Sequence, residues 1–249
     1  MKNEAAALAP QGLCAGCAHF PGLLSAGRCR PGDICIRAHS GRQVDRFLRI
    51  NREEAAACLA DLWWERRAIA CRYAPLEDIL PLVSDSDEAV RRVVASRLPA
   101  DELLRMVADP DREVRLAVAT RLPETHLARL VNDPDYLIRA TVARRLPHGQ
   151  LSALVADSER EVRKVVAQRL PAFALHLLAA DPEPEVRARV AERALPALAA
   201  QLLADPEWWV RLAAVANAPI ESLAPMLDDP EAEIREAVRQ RLKSCEANV

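Results

Sequence analysis

The stretch DPDREVRLAVATRLP, Asp109 to Pro123, carries the start and stop signals of one helix. Asp109 is a good N-cap, because a carboxylate there accepts from the free backbone N–H groups of the first turn. Pro110 suits the first helical position, where its missing N–H costs nothing. Val114, Ala117, Val118 and Leu122 then form one apolar stripe. Pro123 cannot continue the helix and biases the residue before it away from helical geometry. The expected element is a helix of roughly twelve residues, about 18 Å long.

The pattern returns every 24 residues. Asp recurs at 61, 85, 109, 133, 157, 181, 205 and 229, and Arg at 67, 91, 115, 139, 163, 187, 211 and 235. Val or Ile precedes every one of these arginines except Arg67, and Pro recurs at 75, 99, 123, 147, 171 and 219, slipping to Pro196 once. Eight units fit residues 51–242, the first degenerate. Each unit also holds a short apolar stretch such as ADELLRMVA, Ala100 to Ala108, with Leu103, Met106 and Val107 on one side. A two-helix repeat usually needs roughly 34 to 47 residues, so at this length the second element must be clipped or wound as 3₁₀. No column alternates with a period of two, so no strand is expected. One unit cannot bury both stripes alone, and stacking the units buries them in an all-α solenoid.

Composition agrees. Apolar residues make up 51% of the 249 and aromatics only 4%, so the core must be built from Leu, Val and Ala. Residues 1–50 carry a formal +4 and the remainder −6, which argues against a nucleic-acid groove along the whole solenoid. MKNEAAALAPQG has no apolar run suited to export and no stretch is suited to spanning a membrane, so a reducing cytoplasm is the expected setting.

The unit LPADELLRMVADPDREVRLAVATR, of the type LPxxxLxxLVxDPDxxVRxAVAxR, resembles the leucine-rich repeat variant. That resemblance implies a right-handed superhelical solenoid of alternating α- and 3₁₀-helices without strands, over residues 51–242. Departures fall at Arg66 in the Val column, Leu195 in the Leu-Pro column and Asn217 in the Arg column. A second, weaker resemblance is to short HEAT-like repeats, which share the D…VR…A pattern but run longer.

Two arginine columns need an account. An acid stands four residues before the first column's arginines from Arg91 on (Asp87, Asp111, Asp135, Glu159, Glu183, Glu207, Glu231), so each Arg is expected to pair within its own helix. The second column is Arg97, Arg121, Arg145, Arg169, Arg193 and Arg241. Its favoured reading is an arginine stem on the core with its head on helix-terminal carbonyls; the alternative is a guanidinium row for phosphates or an acidic partner. Trp63 and Trp64 are expected to cover the junction with the N-terminal segment, and Trp208 and Trp209 to form a contact site.

Seven cysteines sort by the repeat. Cys58 and Cys71 fall in core columns, and Cys245 lies in the tail, residues 243–249. Cys14, Cys17, Cys29 and Cys35 belong to no column and are spaced C-x₂-C-x₁₁-C-x₅-C among turn-forming Gly and Pro residues. A segment so poor in core residues needs a staple, and four thiolates supply ligands for Zn²⁺ or an iron–sulfur cluster. Spacing leaves these two open, with His19 and His39 as substitute zinc ligands and Arg28, Arg30 and Arg37 to offset thiolate charge. The N-terminal stretch resembles the iron–sulfur domain that precedes leucine-rich repeat variants in some nitrogen-fixing bacteria, which implies a [4Fe–4S] cluster on Cys14, Cys17, Cys29 and Cys35.

No Gly-rich phosphate loop, His-based metal motif or nucleophile elbow stands in the chain, so no enzyme is expected. The reading is a cytoplasmic iron–sulfur repeat protein: a cluster domain over residues 1–50 on a solenoid that binds a protein partner or senses redox state, linked by resemblance to nitrogen fixation. The alternatives are a zinc-stapled solenoid that binds nucleic acid, and an electron carrier.

Overall fold

The computed structural model describes Gly12 and residues 14–246; the start of the expected cluster segment and the last three residues of the expected tail lie outside them. The chain divides into two compact units, Met1–Leu122 and Pro123–Val249. Among the described residues the structure is helical throughout, the one extended pairing being an isolated bridge between Arg30 and Ile34.

The first unit holds α1 (Gly22–Ser25), α2 (Gly41–Ile50), α3 (Trp64–Tyr73), α4 (Leu76–Ile79), α5 (Glu88–Arg97) and α6 (Arg112–Arg121). Helices α2, α3, α5 and α6 pack side by side in that order, and 3₁₀ turns such as Ala100–Met106 form the opposite layer. The second unit repeats the plan with α7 (Tyr136–Arg145), α8 (Arg160–Arg169), α9 (Pro184–Ala191), α10 (Pro196–Leu202), α11 (Trp208–Val215) and α12 (Ala232–Glu246). Its α7, α8, α9, α11 and α12 stack in sequence, with 3₁₀ segments Glu124–Leu130, His148–Leu154 and Ala172–Leu178 behind the first three. The expected alternation of α and 3₁₀ is therefore present. The 3₁₀ form follows from a spacing of three: Leu103 and Met106, Leu127 and Leu130, Leu151 and Leu154, and Leu175 and Leu178 are all buried, and three residues per turn put each pair on one face. Where proline slips to Pro196, the element becomes the α-helix α10 instead.

The N-cap sits two residues later than the sequence suggested. Helix α6 starts at Arg112, and Asp111 accepts from the Val114 N–H at 2.9 Å. Asp87 and Asp135 cap α5 and α7 in the same way. Asp109 lies outside the helix and is buried, its carboxylate accepting from the Asp111 N–H at 2.9 Å. These helices have ten residues and end at the leucine before proline, which is extended at φ −56° and ψ 139° in Leu122. The buried stripe is Val114, Val118, Ala119 and Leu122; Ala117, expected in it, is half-exposed.

The recurring Arg is structural, but its partner is not the acid in its own helix. Arg91 reaches forward to the next repeat and grips Asp109 through Nε at 2.8 Å and Nη2 at 3.0 Å. It also reaches back, donating from Nη1 to the Asp85 carbonyl at 2.8 Å. Arg67 does the same to Asp85 in the first unit. Arg139, Arg163, Arg187 and Arg211 do so to Asp157, Asp181, Asp205 and Asp229 in the second. The earlier acids serve as caps or first-turn charges instead. Asp61 has no repeat before it, since Gln43 stands where the preceding Arg would be. Arg66, the residue that breaks the Val column, bonds to Asp61 instead and lies over the Trp63 ring at 5.3 Å.

The Arg163–Asp181 pair is the most enclosed of these, with side chains 10% and 2% exposed. Breaking a buried pair from one side strands the other charge. Arg163→Met is expected to cost about 3–5 kcal/mol in denaturant unfolding, and adding Asp181→Asn to recover part of that loss because the stranded charge is gone. Burial, the largest single influence on Asp157 and Asp205, pushes their carboxyls up. The Arg139 and Arg187 hydrogen bonds, backbone N–H groups and neighbouring guanidiniums together outweigh it and hold both below the usual range. In Asp229 the Arg211 hydrogen bond dominates and the direction is the same. A lowered carboxyl pKa stabilises above the unfolded value of about 3.9 and is lost as pH falls through the folded value. Melting followed by circular dichroism is expected to change little between pH 7 and about 5, then to fall steeply below about 4.

Candidate metal centre

Three backbone devices present the four unassigned cysteines. Cys14 and Cys17 flank a tight turn in which the Cys17 N–H donates to the Cys14 carbonyl at 3.2 Å. Gly16 makes the turn with φ +66°, a conformation a side chain would strain. Helix α1 unwinds through Gly27 at φ +69°, and the Leu23 carbonyl takes the N–H groups of both Arg28 and Cys29, at 2.9 and 3.2 Å. The Arg30–Ile34 bridge then reverses the chain and delivers Cys35, whose N–H donates to the Gln43 carbonyl on α2 at 3.4 Å. Arg37 ties the ends together, donating to the Ala15 carbonyl at 2.8 Å.

The four cysteines line one small pocket with His19, Phe20, Leu24 and Ile36. Cys35 is buried, the other three are half-buried, and none is in a disulfide. Burial first, then the charges of Cys35, Cys14 and Cys17, push the Cys29 thiol up to about 11. No arginine is among the groups that move it. The arginines expected to offset thiolate charge are spent elsewhere: Arg28 pairs with Glu53, Arg30 with Asp33 at 3.7 Å, and Arg37 with the Ala15 carbonyl. Among the described residues, no three His, Cys, Asp or Glu side chains converge as the ligands of a single metal ion must. Four thiols lining one pocket are a donor set of the kind that holds an iron–sulfur cluster, in which each iron takes its own thiolate.

Of the two histidines, His19 lines the pocket, with its ring 5.3 Å from Phe47 and its Nδ1 3.8 Å from Glu54. His39 does not line it; its ring lies 5.9 Å from Trp63, which covers the junction with the first repeat. Cys58 and Cys71 are buried core residues, and burial pushes Cys71 up to about 12. Cys245 is exposed on α12, which continues through residues 243–246.

Asn51, at the end of α2, was not singled out from the sequence. It is fully buried, and its Nδ2 donates to the carbonyls of Arg28, at 3.0 Å, and Phe47, at 2.9 Å. It therefore holds the peptide that carries Cys29 against α2. One asparagine at a helix end has no periodic signal that would mark it.

The second arginine column meets carbonyls, as favoured, but those of the preceding repeat. Arg121 bonds the Ala95 carbonyl and, at 2.8 Å, that of Leu98; Arg169 bonds those of Ala143 and Leu146 at 2.9 and 2.8 Å. Arg97, Arg193 and Arg241 act alike, and Asn217 replaces the guanidinium with a single bond to the Ala191 carbonyl at 2.9 Å. These side chains are not a free row for phosphates. Trp208 and Trp209 stand edge to face at 5.9 Å, each more than a third exposed. No described helix is long and apolar enough to cross a membrane.

Comparison with known proteins matches this division. Residues 11–57 match the family described as "LRV protein FeS4 cluster", and residues 112–135 match "Leucine rich repeat variant". A solved structure titled "A leucine-rich repeat variant with a novel repetitive protein structural motif" is 51% identical, with a TM-score of 0.86, over 94% of this chain and 100% of that one. An uncharacterized 27.7 kDa protein in the nifB 3′ region of Rhodobacter capsulatus is 39% identical over 88 residues, 35% of this chain. The match spans 36% of that curated relative's length.

Asn51→Ala removes the side-chain donor from the Arg28 carbonyl. It is expected to destabilise the N-terminal unit by about 1–3 kcal/mol, measured by thermal unfolding, and to increase hydrogen exchange at the Cys29 amide.

Proposed function

Because this chain belongs to the leucine-rich repeat variant family, we propose that it is an iron–sulfur repeat protein whose cluster domain serves a protein-interaction solenoid. The proposed group is a [4Fe–4S] cluster held by Cys14, Cys17, Cys29 and Cys35. The observation that carries this reading is that all four thiols line one pocket, in the segment that matches the FeS4 cluster family.

When bound, such a cluster supplies one-electron chemistry. The chain's own residues do the rest. Phe20, Leu24 and Ile36 line the pocket with apolar surface that restricts water. Gly16 and Gly27 set the turns that aim Cys17 and Cys29. Thiolate ligands must be deprotonated, so loading releases protons and cluster assembly is favoured by higher pH.

The solenoid face is the proposed binding surface for a protein partner, and cluster state is the signal it would report. The relative named for its place beside nifB supports a proposed link to nitrogen fixation.

Iron, acid-labile sulfide and zinc would be measured on protein purified without oxygen, for the wild type and for Cys14→Ser with Cys29→Ser. Iron and sulfide are each expected near four per chain, by the composition of the proposed cluster, and to be lost in the variant. Stoichiometric zinc without sulfide would sink the cluster reading.

A further inference from the structure

Among the first-unit arginines outside both repeat columns are Arg42 on α2, Arg72 on α3 and Arg92 on α5. Stacking does not require them. The column of Arg72 continues as Ser96 and Thr120, and that of Arg92 is flanked by Ala68 and Leu116. Yet these three line a single groove of about 520 Å³ between α2, α3 and α5. Its apolar lining is Ala68, Ile69, Ala89 and Val93, with Trp64 beside them, 43% exposed. A shallower extension continues from Arg72 and Arg92 to Ser96 and Arg97.

Two acids line this groove, Asp45 and Glu65. Asp45 accepts from the Tyr73 hydroxyl at 2.9 Å and from Arg72 at 3.3 Å. The Glu65 carboxylate packs over Gly41, in the first turn of α2, where a Cβ would clash with it; the helix dipole favours its charge there. Arg72 and Arg92 remain 56% and 46% exposed, Arg92 with only a 3.4 Å contact to Asp111. Arg42 is exposed and makes no ion pair among the described residues. The groove therefore offers an aliphatic floor under a rim of three guanidinium groups, of which Arg42 makes no ion pair among the described residues and Arg72 and Arg92 are each held by one long contact.

We propose that this groove docks an acidic, amphipathic peptide segment of a protein partner. Apolar side chains would lie on the floor, and carboxylates would meet Arg42, Arg72 and Arg92. An aliphatic floor with one indole suits such a segment better than a nucleic-acid strand, which needs successive stacking faces and a continuous cationic track. The proposal rests on the interaction-module reading above and gives it a site. Helix α2 belongs to both places: its Gln43 carbonyl holds Cys35, and its Arg42 lines the groove.

The test is fluorescence anisotropy with full-length, cluster-loaded protein and a short labelled peptide of Glu and Leu at helical spacing. Parallel arms use the same peptide with Gln for Glu, and labelled oligothymidylate. Arg42→Gln with Arg92→Gln is expected to weaken binding of the acidic peptide at least about tenfold. Arg105→Gln, outside the groove, is expected to leave it unchanged, and both variants to keep the wild-type melt. The proposal is overturned by no binding, by equal binding of the Gln peptide, by indifference to the double substitution, or by preference for oligothymidylate. Iron measured on the same samples separates the two readings: peptide binding without iron refutes the cluster alone, and iron without peptide binding refutes the docking site alone.

Discussion

Everything in the repeat depends on where one buried guanidinium sends its hydrogen bonds. Arg163 bonds the Asp157 carbonyl of its own repeat and the Asp181 carboxylate of the next. Asp181 in turn accepts from the Glu183 N–H and lends its carbonyl to Arg187. Each charge is thus satisfied only if the neighbouring repeat sits in register. Buried pairs of this kind add little net stability over an apolar core, but they penalise misplacement heavily. The apolar columns of Leu and Val supply most of the burial, and the Arg–Asp bridge decides which repeat meets which.

The same rule explains the irregular units. A ladder must start somewhere, and its first carboxylate has no upstream arginine. Arg66 solves this at Asp61 by giving up an apolar position and resting on Trp63. Where Asn217 replaces arginine, one carbonyl bond survives in place of the usual fork. Where proline slips by one residue, the preceding helix α9 stops at eight residues and the next element is α instead of 3₁₀. Each departure in sequence matches a local change in how the repeat is closed.

The cysteine segment works by a different logic. It has little apolar core of its own, and its turns are held by backbone bonds, by Arg37 and by Asn51. Its fixed reference is α2, whose buried Val44, Phe47 and Leu48 join it to the first repeat. The pocket and the arginine-rimmed groove are therefore positioned by one helix.

Periodicity made the fold readable: the 24-residue spacing, the Leu-Pro stops and the apolar columns specify stacked helical units because local stereochemistry and burial repeat with the chain. The four unassigned cysteines were legible for the complementary reason, as residues no column explains. What the sequence could not settle was the partner of each charge. An acid four residues from Arg91 is near in sequence, yet Asp109, eighteen residues on, wins because stacking buries it beside the guanidinium. The cap at Asp111, the role of Asn51 and the gathering of Arg42, Arg72 and Arg92 are of the same kind. Each depends on which backbone and side-chain groups lose water when the helices pack, and only the tertiary structure decides that.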